Sequence, residues 1–234
     1  MSVLSRVVWC AVLLLSGCSV PELRPVAESD VTTEGGTVVG VSADERVVRW
    51  LDIPYAQPPV GERRWRAPVA LQASNQLIER QSDDIMCPQM PSETSGVDGD
   101  GVIGQEDCLY LDVVAPADFR SKRYPVMFWI HGGGNTAGRK GTYDFTELAA
   151  REDVVVVTIN YRLGPLGWMT HSALQTGAEG LDRSSNFGTL DIIAALEWAG
   201  RNIAQFGGDP GNVTVFGESA GGHNIYALLV SPLT

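Results

Sequence analysis

The 234 residues predict an α/β chain, a mixed and mostly parallel sheet covered by helices on both faces. Three observations carry this. Val126-Met127-Phe128-Trp129-Ile130 and Val154-Val155-Val156-Val157-Thr158-Ile159 are apolar runs without alternation, as strands covered on both faces require. Between them, Phe145 to Arg151 reads as the short helix of a crossover connection. Finally, a strand from Asn212 to Phe216 runs through Gly217-Glu218-Ser219-Ala220-Gly221 into a helix beginning near Ala220.

In chain order, the N-terminus reads as targeting rather than structure: a cation at Arg6, an apolar run from Val7 to Leu15, then small residues. That run is too short to span a bilayer. Residues 18–30 read as a polar tether with Pro21 and Pro25, in which no folding is required. From Thr37 to Tyr55, Val38, Val39 and Val41 followed by Val47, Val48, Trp50 and Ile53, broken at Ser42-Ala43-Asp44-Glu45, predict a small antiparallel hairpin. The polar, glycine-rich stretch from Pro91 to Gly104 reads as a loop, and Tyr110 to Val114 as a strand. Asn186 to Gln205 reads as a helix, because Ile192, Leu196, Ala199 and Ile203 share a face; Ser185 or Asn186 caps it, and Gly207-Gly208 with Asp209-Pro210 ends it. Residues 31–234 are read as one domain.

A formal charge of -11 and the lack of a basic stripe argue against a nucleic-acid partner, since phosphate binding needs a cationic surface. Three scattered histidines have no metal-ligand spacing, so neither metal nor cofactor is expected. The chemistry sits elsewhere. Strand, Gly-Glu-Ser-Ala-Gly and helix in that order form a nucleophile elbow, in which Gly217 and Gly221 permit a sharp turn that exposes Ser219 at a helix N-terminus. His131-Gly132-Gly133-Gly134 follows the strand ending at Ile130; alone such a loop is as often a flexible turn, but beside an elbow it reads as the second part of an oxyanion hole.

Leu15-Ser16-Gly17-Cys18 resembles the lipobox of bacterial lipoproteins. That resemblance implies a signal peptide at residues 1–17, lipidation at Cys18, and, with Ser19 next, a membrane partner in the outer membrane of the cell envelope. Cys10 leaves with the signal and Cys18 takes the lipid, so Cys87 and Cys108 remain as an even pair in an oxidising compartment and are expected to bond.

From residue 31 onward the chain resembles the type B carboxylesterases, the family of the cholinesterases and bacterial para-nitrobenzyl-type esterases. The matching residues are Ile53-Pro54-Tyr55-Ala56, Pro58-Pro59-Val60-Gly61, Glu106-Asp107-Cys108-Leu109-Tyr110-Leu111, the His131 glycine loop, Asn160-Tyr161-Arg162-Leu163-Gly164, Asn186-Phe187-Gly188 and Phe206-Gly207-Gly208-Asp209-Pro210. The resemblance implies an α/β-hydrolase fold and a small-molecule ester substrate. Ser219 is then the acylated nucleophile, with an oxyanion hole of Gly133, Gly134 and Ala220, a Cys87–Cys108 disulfide and a structural ion pair between Arg64 and Glu106. Two departures matter: Asn135 stands where many relatives have an aromatic, and the Cys87–Cys108 loop lacks the tryptophan that stacks choline.

The acid and histidine of such a triad follow the serine in the chain. Neither appears after Ser219, and His223, one helical turn on, lies on a helix from which the serine projects away. The expectation is a fragment that ends after the elbow helix, inactive alone, whose strand 212–216 lies exposed at a sheet edge. The rival readings are a non-catalytic cholinesterase-like binding protein of the envelope, disfavoured by the retained serine, and a purely structural lipoprotein, which needs no oxyanion loop.

Overall fold

The structure is a computed structural model and describes residues 22–79, 85–93, 96 and 98–234. The expected signal segment, with Cys10 and Cys18, lies outside the described residues. In order come β1 (Arg24–Pro25), β2 (Val31–Thr33), β3 (Gly36–Val38), β4 (Val41–Ser42), β5 (Val47–Pro54), β6 (Leu77–Ile78), β7 (Tyr110–Pro116), β8 (Tyr124–Ile130), α1 (Thr146–Glu152), β9 (Val155–Ile159), α2 (Gly164–Gly167), α3 (Ser172–Gln175), α4 (Phe187–Asn202), β10 (Gly208–Gly217) and α5 (Ala220–Leu229).

Seven strands form one sheet in the order β1-β4-β5-β7-β9-β8-β10. Its two halves differ. β8 pairs in parallel with both β9 and β10, whereas β1, β4, β5, β7 and β9 pair antiparallel in succession. The apolar runs correctly gave strands covered on both faces, but coverage does not fix direction: among the described residues the sheet is mixed, with parallel pairing confined to β9-β8-β10. Alternation along β9 is plain in the packing. Val155, Val157 and Ile159 join the large core with Ile192, Ala195 and Trp198 of α4, while Val156 joins a smaller cluster with Ala149 of α1 on the opposite face.

The predicted helices form with shifted ends. α1 starts after Phe145 and stops at Asp153, which adopts φ 53°. α4 continues as a 3-10 turn, Ile203–Phe206, and Gly207 at φ 84° ends it.

Two N-terminal expectations are corrected. The tether folds from Arg24 onward: β1 pairs with β4, and Ser29 is fully buried, accepting from the Gly40 N–H at 3.0 Å while its carbonyl accepts from Trp50 Nε1 at 2.8 Å. A proline-rich polar composition is a weak guide where one hydroxyl satisfies two segments of backbone. The expected hairpin is divided as well. β4 and β5 do pair antiparallel, Val41 opposite Arg49, but β3 leaves for a second sheet of order β2-β3-β6.

β10 lies at the sheet edge with β8 as its neighbour, and Val213, Val215 and Phe216 are only half-buried.

Candidate active site

β10 delivers the chain to Ser219 at the C-terminal edge of the parallel strands, and α5 leaves from the next residue. Ser219 adopts φ 52°, ψ -117°, a conformation rare for a residue with a side chain and worth of order 1–3 kcal/mol of strain. The flanking glycines make the turn possible. A Cβ on Gly217 would lie 2.7 Å from the Gly221 carbonyl carbon and 2.8 Å from Ile130 O; one on Gly221 would collide with Ile130 O. The elbow thus crosses the end of β8 at backbone contact, leaving Glu218 and Ser219 exposed and Ala220 buried. Bonds from Gly221 N to Glu218 O, 2.8 Å, and from His223 N to Ser219 O, 3.1 Å, close the first turn.

The glycine loop lies directly against this turn. A Cβ on Gly132 would overlap the Glu218 carboxylate and stand 3.2 Å from Ser219 Cβ. Gly133, Gly134 and Asn135 then run at φ 90°, 63° and 59°, a left-handed sequence that two glycines and an asparagine tolerate. The loop is closed by Gly133 O, which accepts from Thr136 N and Ala137 N at 3.0 and 3.1 Å. Among the described residues, the N–H groups of Gly133, Gly134 and Ala220 donate to no protein acceptor. They lie on two separate elements that meet at Ser219. Beside them opens a cleft of about 380 Å³ lined by Glu93, His131, Gly132, Thr142, Tyr143 and Glu218.

His131 supports the loop from beneath. Its ring is buried, stacks on Tyr161 with centroids 4.4 Å apart, and places Nδ1 2.9 Å from Gly132 O. Burial pushes its pKa down to about 4, against the opposing hydrogen bond to Gly132, so the ring is neutral at pH 7 and Nδ1–H donates. The Tyr161 hydroxyl, which burial pushes upward, donates to His131 O at 2.7 Å. Gln89 clasps the far end of the loop, accepting from Gly138 N at 2.7 Å and donating to Gly138 O at 2.9 Å.

The other two histidines do not support the loop. His171 caps α3, accepting from Ala173 N, and His223 is exposed on α5.

Cys87 and Cys108 are bonded, with a Cα–Cα distance of 5.0 Å, and the loop they close carries Gln89 to the glycine loop. Arg64 Nε lies 2.6 Å from Glu106 Oε2 at a partly exposed position. No group of three metal-ligating side chains occurs among the described residues.

Several residues that matter here had no role assigned from sequence. Asn160 Oδ1 accepts from the Lys140 N–H, and Lys140 is itself wholly buried, with its ammonium 2.7 Å from Asp52 and 3.0 Å from Asp112. Burial opposes that charge, but the two carboxylates outweigh it and raise the lysine pKa. Arg162 pairs with Asp191, again fully buried. Both arginine and tyrosine belong to the quoted Asn160–Gly164 motif, whose conspicuousness was the only signal. Asn224 gave none.

The carboxylesterase family profile matches residues 27–234. The chain belongs to the carboxylesterase family. It is 46% identical over 205 residues to the para-nitrobenzyl esterase of Bacillus subtilis strain 168, covering 86% of this chain and 40% of that protein. To liver carboxylesterase 1 of Oryctolagus cuniculus it is 44% identical over 225 residues, covering 90% of this chain and 39% of that one. Among solved structures, a PNB esterase superposes with a TM-score of 0.78 at 43% identity over 88% of this chain and 42% of its own. A carboxylesterase of Geobacillus stearothermophilus gives 0.75 at 38% identity, covering 88% and 41%. The α/β-hydrolase fold is therefore that of the carboxylesterases, and the chain spans about two fifths of the length of these relatives.

Proposed function

We propose that the chain carries the nucleophile and oxyanion hole of a serine carboxylesterase acting on small-molecule esters. Ser219 Oγ bonds to the ester carbonyl carbon while its proton passes to a general base; the alcohol leaves with that proton, and water then releases the acid and restores the serine. The N–H groups of Gly133, Gly134 and Ala220 donate to the oxygen that becomes negative, where losing a single donor typically lowers the rate at least a hundredfold. One observation carries this reading: an exposed serine in a strained conformation at a helix N-terminus, against a left-handed glycine loop whose Gly133 and Gly134 N–H groups donate to no protein acceptor among the described residues. The para-nitrobenzyl and liver carboxylesterases support the ester class.

His131 is buried beneath the glycine loop with Nδ1 bonded to Gly132 O, His171 caps a helix, and His223 follows Ser219 by a turn on the helix surface. We therefore draw the base and its acidic partner from the part of the relatives' length that this chain does not span, and residues 1–234 alone should turn over no ester. Lipidation of Cys18 and an outer-membrane location belong to the same proposal, supported by the order of residues 6–19.

Reaction with a fluorophosphonate probe tests the reading, in the 234-residue chain and in the whole open reading frame. Labelling of the long form alone, abolished by Ser219→Ala, is expected; a folded long form that does not label would favour a binding protein.

A further inference from the structure

The proposed oxyanion hole draws its donors from two elements far apart in sequence, the glycine loop and the start of α5. Steric contact between Gly132 and the Glu218–Ser219 turn sets how close they come, but a contact of that kind leaves the loop free to slide. A directional contact does not. Asn135, the residue after the two glycine donors, makes one: its Oδ1 accepts from Asn224 Nδ2 at 3.0 Å, and its Nδ2 lies 3.4 Å from Asn224 Oδ1. Asn224 is buried on α5, five residues after Ser219. The Tyr161 hydroxyl stands 3.4 Å from the same Asn135 Oδ1, and Asn135 O accepts from Gly164 N at 2.6 Å.

We propose that Asn135 and Asn224 are a positioning pair that locks the glycine loop to the nucleophile helix, so that Gly133, Gly134 and Ala220 converge on one oxygen. This rests on the ester-hydrolase reading of Ser219. The amide of Asn135, which stands where many relatives have an aromatic, is turned to Asn224. Two amides suit the task because each offers both a donor and an acceptor, so the pair fixes orientation as well as distance. Asparagine also tolerates the φ of 59° that the loop imposes at this position.

The test uses the protein as its gene encodes it, with Asn135→Gly, Asn224→Ala and the double variant, assayed on p-nitrophenyl acetate and with a trifluoromethyl ketone that adds to the serine. Glycine at 135 keeps the left-handed backbone and removes only the side chain. Each single variant should lower kcat about tenfold with KM within about twofold, ketone affinity should fall in parallel, and the double variant should be no worse than the poorer single one. Unchanged kcat in either single variant, or losses that multiply in the double, would overturn the pair. If Asn224→Ala does not fold, Asn135→Gly decides alone by the same split between kcat and KM. A wild-type protein that neither hydrolyses ester nor labels with fluorophosphonate removes the ester-hydrolase reading itself, whereas a labelling wild type with unaltered variants removes only the pair.

Discussion

Replacing Arg162 by methionine should destabilise the protein by about 3 kcal/mol, the lower end of the range for breaking a buried ion pair. The side chains of Arg162 and Asp191 are 2% and 0% exposed. Arg162 Nε and Nη2 donate to the two carboxylate oxygens at 2.8 and 2.7 Å, and the Arg162 backbone N–H adds a third bond at 3.0 Å. At an effective dielectric of about 20 and a charge separation near 4 Å, the attraction is about 4 kcal/mol, much of it offset by taking both charges out of water. Methionine keeps the stem's volume and the backbone bond but leaves the Asp191 carboxylate buried without its cation. Set against a typical total stability of about 5–15 kcal/mol, this is a large change. Urea unfolding followed by tryptophan fluorescence should show a lower midpoint at constant slope. The double variant Arg162→Met/Asp191→Asn should recover part of that loss, because it removes the stranded charge while keeping a side-chain oxygen for the residue-162 N–H. A single-variant loss below about 1 kcal/mol, or a double variant no more stable than the single, would refute the claim that this pair is held in a dry interior.

Two further outcomes are expected. The folded pKa of His131, about 4, lies below its ordinary 6.5, so the unfolded chain binds the extra proton between those values; the neutral ring's contribution is complete above pH 6.5 and is lost as pH falls toward 4. Between pH 7 and pH 5 this amounts to about 2 kcal/mol, and the pH dependence of unfolding of the wild type minus that of His131→Phe should reveal it as a slope of that sign. Gly221→Ala should abolish folding or lower the melting temperature sharply, since its Cβ meets Ile130 O, whereas Gly200→Ala in α4, where a Cβ meets nothing within 4 Å, should stabilise by about 0.5–1 kcal/mol in the same thermal assay.

Much of the central fold and the elbow is legible in the sequence because both are written locally. β8 and β9 are apolar on each face, and a five-residue turn between a strand and a helix has few conformations open to it. The unread parts have the opposite character. β1, β2 and β3 are two or three residues long, and their existence depends on partners such as Gly40 and Trp50 that no window around Ser29 contains. Lys140 sits in a polar, glycine-rich stretch, yet its ammonium is buried because Asp52 and Asp112, from β5 and β7, converge on it. Composition cannot reveal such a group, because charge pairing and not hydropathy takes it inside.

The same distinction explains how the site is held. Ser219 sits in a strained conformation that no hydrogen bond from its own hydroxyl relieves by capping α5. Strain of that size persists only where the surroundings over-determine it. Here the surroundings are the end of β8, packed at backbone contact against Gly217 and Gly221, and a glycine loop tied down by side chains from well-separated segments: Gln89 from the disulfide-closed loop, Tyr161 after β9 and Asn224 on α5. Each tie is a polar group that would be unfavourable in the interior without its partner, so every one favours the same loop position. The glycines give the loop its freedom to approach Ser219, and buried polar side chains remove that freedom once it has arrived. The sequence motif carries the first half of this arrangement, and only the assembled fold carries the second.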